Sequence, residues 1–190
     1  MGKEEKKKLN LKVFLPAVIV VVVALAVLAV FAYMRYYKRV KLPSNVRPVQ
    51  NIEEINEELN LKIEAPVDAS DITYGIENDT VAIVQYRKKG YEGKEMTFVM
   101  RSASAIEDDI SGLSVEFKGT PILMTVICDD GSEVNVEAYV AADDKRVMRY
   151  MKATWYDNDK YYSMVTEDLV TREDFLQEVN RIIIANHIDF

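Results

Sequence analysis

The sequence predicts an α+β fold, an antiparallel β-sheet with an N-terminal and a C-terminal helix packed on one face, preceded by a transmembrane helix. Three observations predict it. Residues 13–34 form one uncharged apolar run. From Asp71 to Thr166, short apolar and alternating segments are separated by Asn, Asp and Gly clusters, a pattern that implies about seven to nine strands in a meander. Amphipathic segments with capping signals flank those strands on both sides.

The apolar run is VFLPAVIVVVVALAVLAVFAYM. At 1.5 Å per residue, residues 13–34 span about 33 Å as a helix, close to the roughly 30 Å hydrocarbon core of a bilayer. Pro16 falls in the first turn, where its missing N–H breaks no intrahelical bond. Tyr33, Tyr36 and Tyr37 beside Arg35, Lys38 and Arg39 form an interfacial belt of rings and cationic tips. Ala24-Leu25-Ala26 offers a signal-peptidase site, but the run continues well past it, as expected of an uncleaved signal-anchor. Lys3, Lys6, Lys7, Lys8 and Lys12 make residues 1–12 a short basic cytoplasmic tail. The lipid bilayer is thus the expected partner of residues 13–34, and the location is the cell membrane, single-pass, with the C-terminal domain extracytoplasmic. Residues 35–50 read as a basic juxtamembrane segment and a linker stiffened by Pro43 and Pro48, and 51–190 as the domain.

Charge divides sharply at Leu42. Residues 42–190 hold 15 Lys and Arg against 29 acids, a net of −14, while the whole chain is at −7. Such a domain repels nucleic acid and anionic headgroups, so no nucleic-acid partner is expected, whereas cationic peptides, metal ions or a neutral protein partner in the envelope remain compatible. There is one Cys and one His. Cys128 can close no internal disulfide and sits in the apolar run Ile122–Cys128; with His187 equally alone, the reading sets aside any metal site, cofactor or Ser-His or Cys-His catalytic pair.

Asn51 and Glu54 form a capping box ahead of Ile52, Ile55 and Leu59, which predicts a helix ending near Asn60. Strands are expected at Asp71–Glu77 and Thr80–Lys88 around the turn Asn78-Asp79, then at Lys94–Arg101, Ser114–Lys118 and Pro121–Cys128. Glu133–Ala141 alternates Val134, Val136, Ala138 and Val140 with polar residues, and Arg146–Tyr156 and Lys160–Thr166 close a hairpin over Asp157-Asn158-Asp159. Thr171 and Asp174 cap a final helix whose stripe of Phe175, Val179, Ile182 and Ile183 requires a sheet to bury against.

With Ile52–Leu59 running into Leu61–Pro66, then Ala82–Tyr86, then Arg101 leading to Glu107-Asp108-Asp109-Ile110-Ser111-Gly112, and with Ala153-Thr154-Trp155 and Tyr161-Tyr162-Ser163 before the last helix, the chain over about residues 50–186 resembles an uncharacterised Gram-positive bacterial domain-of-unknown-function family. Its members sit behind a single transmembrane helix or an anti-sigma-factor-like segment. The resemblance implies export and an α+β fold, and carries no catalytic residue.

Four residues stand out as weak interaction candidates. Glu107, Asp108 and Asp109 offer carboxylates to a cation or a basic peptide, against a solvated loop whose Gly112 makes a tight turn. Trp155, with Tyr150, Tyr156, Tyr161 and Tyr162, offers an aromatic face, against ordinary cross-strand pairs. No cluster of catalytic type is legible. The expected function is a non-catalytic, membrane-anchored binding or sensory domain. The alternative is a carrier or chaperone that shields an apolar ligand such as a lipid.

Overall fold

The computed structural model describes residues 20–30, 45–90, 93–104, 109–113, 117, 120–142, 149–168 and 170–187. Contacts divide the chain into two units, Met1–Arg39 and Val40–Phe190. In the first, residues 20–30 are helical (α1) and expose their apolar side chains, Val20 at 67% and Leu28 at 64% among them. Among the described residues no helix is long and apolar enough to cross a membrane. α1 is the middle of the expected span 13–34, and the ends of that span, the tail 1–12 and residues 31–44 lie outside the described residues.

The second unit is α+β. Its elements are β1 (Val46–Val49), α2 (Ile52–Leu59), β2 (Ser70–Glu77), β3 (Val81–Lys89), β4 (Glu95–Ala103), β5 (Ile122–Ile127), β6 (Glu133–Ala142), β7 (Arg149–Asp157), β8 (Lys160–Thr166) and α3 (Arg172–Asn186). They build one eight-stranded sheet in the order β1-β2-β3-β4-β8-β7-β6-β5, antiparallel throughout. The expected single meander is therefore corrected to two, β1–β4 and β5–β8, joined where β4 pairs β8. Adjacency in sequence usually means adjacency in a sheet, and it fails here at the long β4–β5 connection, which delivers β5 to the far edge.

The expected linker Leu42–Gln50 is corrected in part as well, since Val46–Val49 is an edge strand paired with β2, Pro48 opposite Gly75. Proline lacks a ladder donor and is tolerated on an edge. Four residues with one proline leave no alternation to read. Of the expected strand Ser114–Lys118, only Phe117 lies among the described residues, and it belongs to no strand.

Local chemistry explains the tight turns. Asn78 and Asp79 both take positive φ (52° and 57°), as do Asn158 and Asp159 (47° and 59°). Two residues in that region make the type I′ hairpin, whose twist matches that of the flanking strands, and Asn and Asp tolerate it. α2 starts on Asn51, whose side chain accepts from the Glu54 N–H at 2.9 Å, and stops at Asn60 in the left-handed conformation. Asn56 then clamps the chain beyond the helix by donating to the Ile63 carbonyl (2.8 Å) and accepting from its N–H (3.0 Å), which buries Leu61 and Ile63.

Both helices pack on one face. From the register, Ala82, Val84, Tyr86 and Lys88 of β3 share that face with Met96, Phe98 and Met100 of β4 and with Tyr162 and Met164 of β8. Phe98 stacks between Tyr86 (5.6 Å) and Phe175 of α3 (6.4 Å). Phe175, Val179, Ile182 and Ile183 are all buried, as the stripe requires. A buried polar cluster interrupts this layer. Glu178 on α3 accepts from Lys88 Nζ at 3.0 Å and from the Tyr86 hydroxyl at 3.0 Å, and Lys88 also donates to the Val67 carbonyl at 3.1 Å. Burial first, then the Glu178 charge, pushes the Tyr86 phenol well above its ordinary value.

Charges this deep are tolerated only in pairs. Lys88→Ala or Glu178→Ala should each destabilise the domain by about 3–5 kcal/mol, while joint replacement by Met and Leu should cost far less, since neither charge is then orphaned. Urea denaturation of the four proteins checks this; a double variant as unstable as the singles would contradict it.

Candidate functional site

The opposite face of the sheet carries Ile83, Arg101, Ser163, Thr154 and Glu137 as one row across β3, β4, β8, β7 and β6. Residues 109–113 of the β4–β5 connection lie on this face. This segment is ordered by its own side chains, with the Asp109 carboxylate accepting from the Ser111 N–H (2.9 Å) and Ser111 Oγ accepting from the Leu113 N–H (3.3 Å). The Ser111 carbonyl accepts from Arg101 Nη1. Gly112 sits at φ +68° directly on that guanidinium, and a Cβ there would lie 1.7 Å from Arg101 Nη1. Burial lowers the Arg101 pKa, opposed by the charges of Glu77 and Asp109. Gly112 is thus required both for its left-handed backbone and for the cation beneath it.

Beside this segment, a groove of about 480 Å³ runs over β6, β7 and β8, bordered by Asp109, Glu137, Tyr139, Lys152, Tyr156 and Tyr161 among others. Lys152 is its one cation among the described residues. Its ammonium bonds Asp109 Oδ2 at 2.7 Å and lies 5.0 Å from the Phe117 ring centroid and 5.3 Å from that of Tyr139. Tyr156 and Tyr161 meet across the strands at 4.7 Å, and Tyr156, half exposed, donates to Asp159. On the other side of the Asp109–Gly112 ridge, a second hollow of about 640 Å³ is bordered by Glu58, Glu77, Asp79 and again Asp109. Acids border both, and aromatic rings line the first.

Of the residues singled out in the sequence, Asp109 lies on this ridge, and Glu107 and Asp108 lie outside the described residues. Trp155 borders the groove but is 5% exposed and stacks on Tyr162 at 5.2 Å and 2°, the cross-strand pair that the alternative reading of these aromatics expected. Tyr139 and Lys152 were not singled out, because their convergence depends on strand register.

A further cluster joins residues that the sequence reading set aside. His187, the C-cap of α3, holds Asp157 on Nδ1 at 3.0 Å and Ser132 Oγ and Asp130 Oδ2 on Nε2 at 2.8 and 3.2 Å. The Ser132–His187–Asp157 order is that of a nucleophile, base and acid. Asp157 above all, and Asp130 as well, raise the imidazole pKa against burial, and Asp130 Oδ2 shares Nε2 with the Ser132 hydroxyl that a triad would need for itself. The Asp130 carboxyl is held down at about 2, chiefly by the Ser132 hydroxyl and N–H.

Gly112→Ala should destabilise the domain by about 1–3 kcal/mol through strain and displacement of Arg101, read as a lower urea midpoint. Burial raises the Asp109 pKa, but bonds from Lys152 and Ser111 outweigh it and hold the carboxyl below 3.8. A lowered folded value means that the stabilisation is present above the unfolded pKa and is lost as pH falls through the folded one. Asp109→Asn should accordingly cost about 0.5 kcal/mol at pH 7, a magnitude typical of a half-exposed pair, with the difference from wild type shrinking as pH is lowered from about 4. A difference independent of pH would contradict the assignment.

No family model and no curated protein matches the chain. Among solved structures, H1 crustacyanin from the lobster Homarus americanus is similar at 8% identity over 79% of this chain and 88% of its own, with a TM-score of 0.18, a likeness too low to carry an argument.

Proposed function

We propose that this protein is a single-pass, membrane-anchored extracytoplasmic domain that binds a basic segment of an envelope protein and performs no catalysis. The observation that carries this reading is the outer face, where two hollows bordered by Glu58, Glu77, Asp79, Asp109 and Glu137 flank a rigid ridge and tyrosines line one of them. Tyrosine contributes large contact area with little entropy to lose, and acids select a cationic partner and speed its arrival. The net charge of −14 past Leu42 acts in the same direction. The anchor rests on the uncharged run 13–34 and on the exposed apolar side chains of α1. The family resemblance to Gram-positive domains behind one membrane helix agrees with this arrangement.

A second reading has its own observation. A hollow of about 750 Å³ on the helix side is bordered by Ile122, Val140, Met151 and Val170 beside the start of α3. Its apolar lining fits the carrier alternative, in which an acyl chain is shielded from water.

Protease added to intact protoplasts should remove the domain while an N-terminal tag stays protected; a domain cut only after lysis would refute the topology. Val23→Asp places a charge in mid-span, which costs about 2.5–3.5 kcal/mol on insertion scales, and should release protein from the membrane fraction. The purified full-length chain should bind a Lys/Arg-rich peptide with salt-sensitive affinity, and Tyr156→Ser with Tyr161→Ser should weaken it at least tenfold. Unchanged binding by that variant would move the site elsewhere. If instead the protein carries lipid, Val140→Arg should abolish lipid co-purification and leave peptide binding intact.

A further inference from the structure

Cys128, Asp130 and His187 come from two distant parts of the chain, the β5–β6 turn and the end of α3, and their ligand atoms all lie within 4.8 Å of one another. We propose that these three side chains bind one divalent transition metal of the zinc class, with Asp157 behind the imidazole. The donor set of one thiolate, one imidazole and one carboxylate suits a borderline-soft ion and excludes magnesium and calcium, which prefer oxygen alone. Tetrahedral coordination at about 2.0–2.3 Å from the metal needs ligand atoms about 3.3–3.5 Å apart; Asp130 Oδ2 and His187 Nε2 already have that spacing at 3.2 Å, so it is Cys128 Sγ that moves in from within 4.8 Å.

The surroundings hold each donor in place. Asp130 Oδ1 accepts from the Ser132 N–H (2.8 Å) and hydroxyl (2.7 Å), which turns Oδ2 towards His187 Nε2 at 3.2 Å. The turn itself is closed by Gly131 N–H to the Cys128 carbonyl and Cys128 N–H to the Ser132 carbonyl, both at 2.9 Å. Asp157, 7% exposed, places both oxygens 3.0 Å from His187 Nδ1. A carboxylate on the far nitrogen is the arrangement that orients a metal-bound histidine and raises its basicity. A tie between helix and hairpin needs none of Cys128, which is 4% exposed and set beside Asp130 in the same turn. On binding, the thiol proton and any proton on His187 Nε2 leave to solvent, Ser132 Oγ gives up Nε2, and a water fills the fourth position.

The test uses the untagged full-length chain in detergent, titrated with Zn²⁺ by calorimetry and with Co²⁺ by absorption spectroscopy. The expected result is one ion per chain and a thiolate-to-cobalt charge-transfer band. Cys128→Ser should abolish the band, and His187→Gln and Asp130→Asn should each weaken Zn²⁺ at least tenfold. Asp130 lies on an exposed turn, so its variant keeps the test valid should the buried His187 variant fail to fold, as circular dichroism will show. Wild type without the band, or Asp130→Asn and a folded His187→Gln that bind Zn²⁺ as tightly as wild type, would overturn the proposal. Loss of metal binding would leave the acidic-groove reading untouched, because the peptide titration does not involve these residues.

Discussion

The pairing of β4 with β8 is the constraint on which the rest of the domain depends. Met100 faces Met164 and Arg101 faces Ser163 across that seam, and without it the chain is two separate four-stranded meanders. Register at the seam decides both faces at once. A slip of one residue in β4 would drive Arg101 into the apolar layer under α3 and turn Met100 out towards the ridge, away from Met164. The seam also joins strands far apart in sequence, so its loop-closure entropy is repaid only when the helices cover the result. Phe98 is central to that repayment, since it sits in the seam strand and stacks on Phe175 of α3.

Joining two meanders this way leaves one long connection, and its route shapes the outer surface. β5 lies at the far edge of the sheet, separated from β4 by β8, β7 and β6, and the described part of the segment between them, residues 109–113, rests on the outer face. An irregular chain lying on a sheet needs its polar groups satisfied, and Arg101, Lys152 and the Asp109–Ser111 bonds supply the partners. The ridge and its two flanking hollows are therefore consequences of topology. The helix face is the opposite: it is mostly apolar, and at Glu178 three neighbouring groups converge on one carboxylate.

What was legible in the sequence is what depends on neighbours in the chain. The Asn51–Glu54 and Thr171–Asp174 boxes, the Asn78-Asp79 and Asn158-Asp159 turns and the Phe175–Ile183 stripe each encode a local geometry within a few residues, and each forms. Strand partners across the seam, the edge strand Val46–Val49 and the company of Arg101 depend on residues far away. The candidate sites divide likewise. Asp109 stands out as a carboxylate beside a glycine, but nothing near Lys152 announces that it will meet Asp109, Phe117 and Tyr139. One cysteine and one histidine likewise carry no spacing signal, and only the fold sets them side by side.

The meeting of Cys128 and His187 follows from a match of lengths. α3 has 15 residues, about 22 Å at 1.5 Å per residue, and β8 has 7, about 24 Å at 3.4 Å per residue. A helix that follows β8 and folds back along the sheet therefore runs out where β8 began, at the end of the sheet that carries the β5–β6 and β7–β8 turns. Its C-cap is His187, and the groups waiting there are Asp130 and Ser132 from one turn and Asp157 from the other. Thr171 fixes the opposite end of the helix by accepting from the Asp174 N–H at 3.0 Å. A deletion of one turn in α3 would leave its apolar stripe on the sheet but withdraw the imidazole by about 5 Å, which separates the packing role of the helix from whatever the cluster at its end performs.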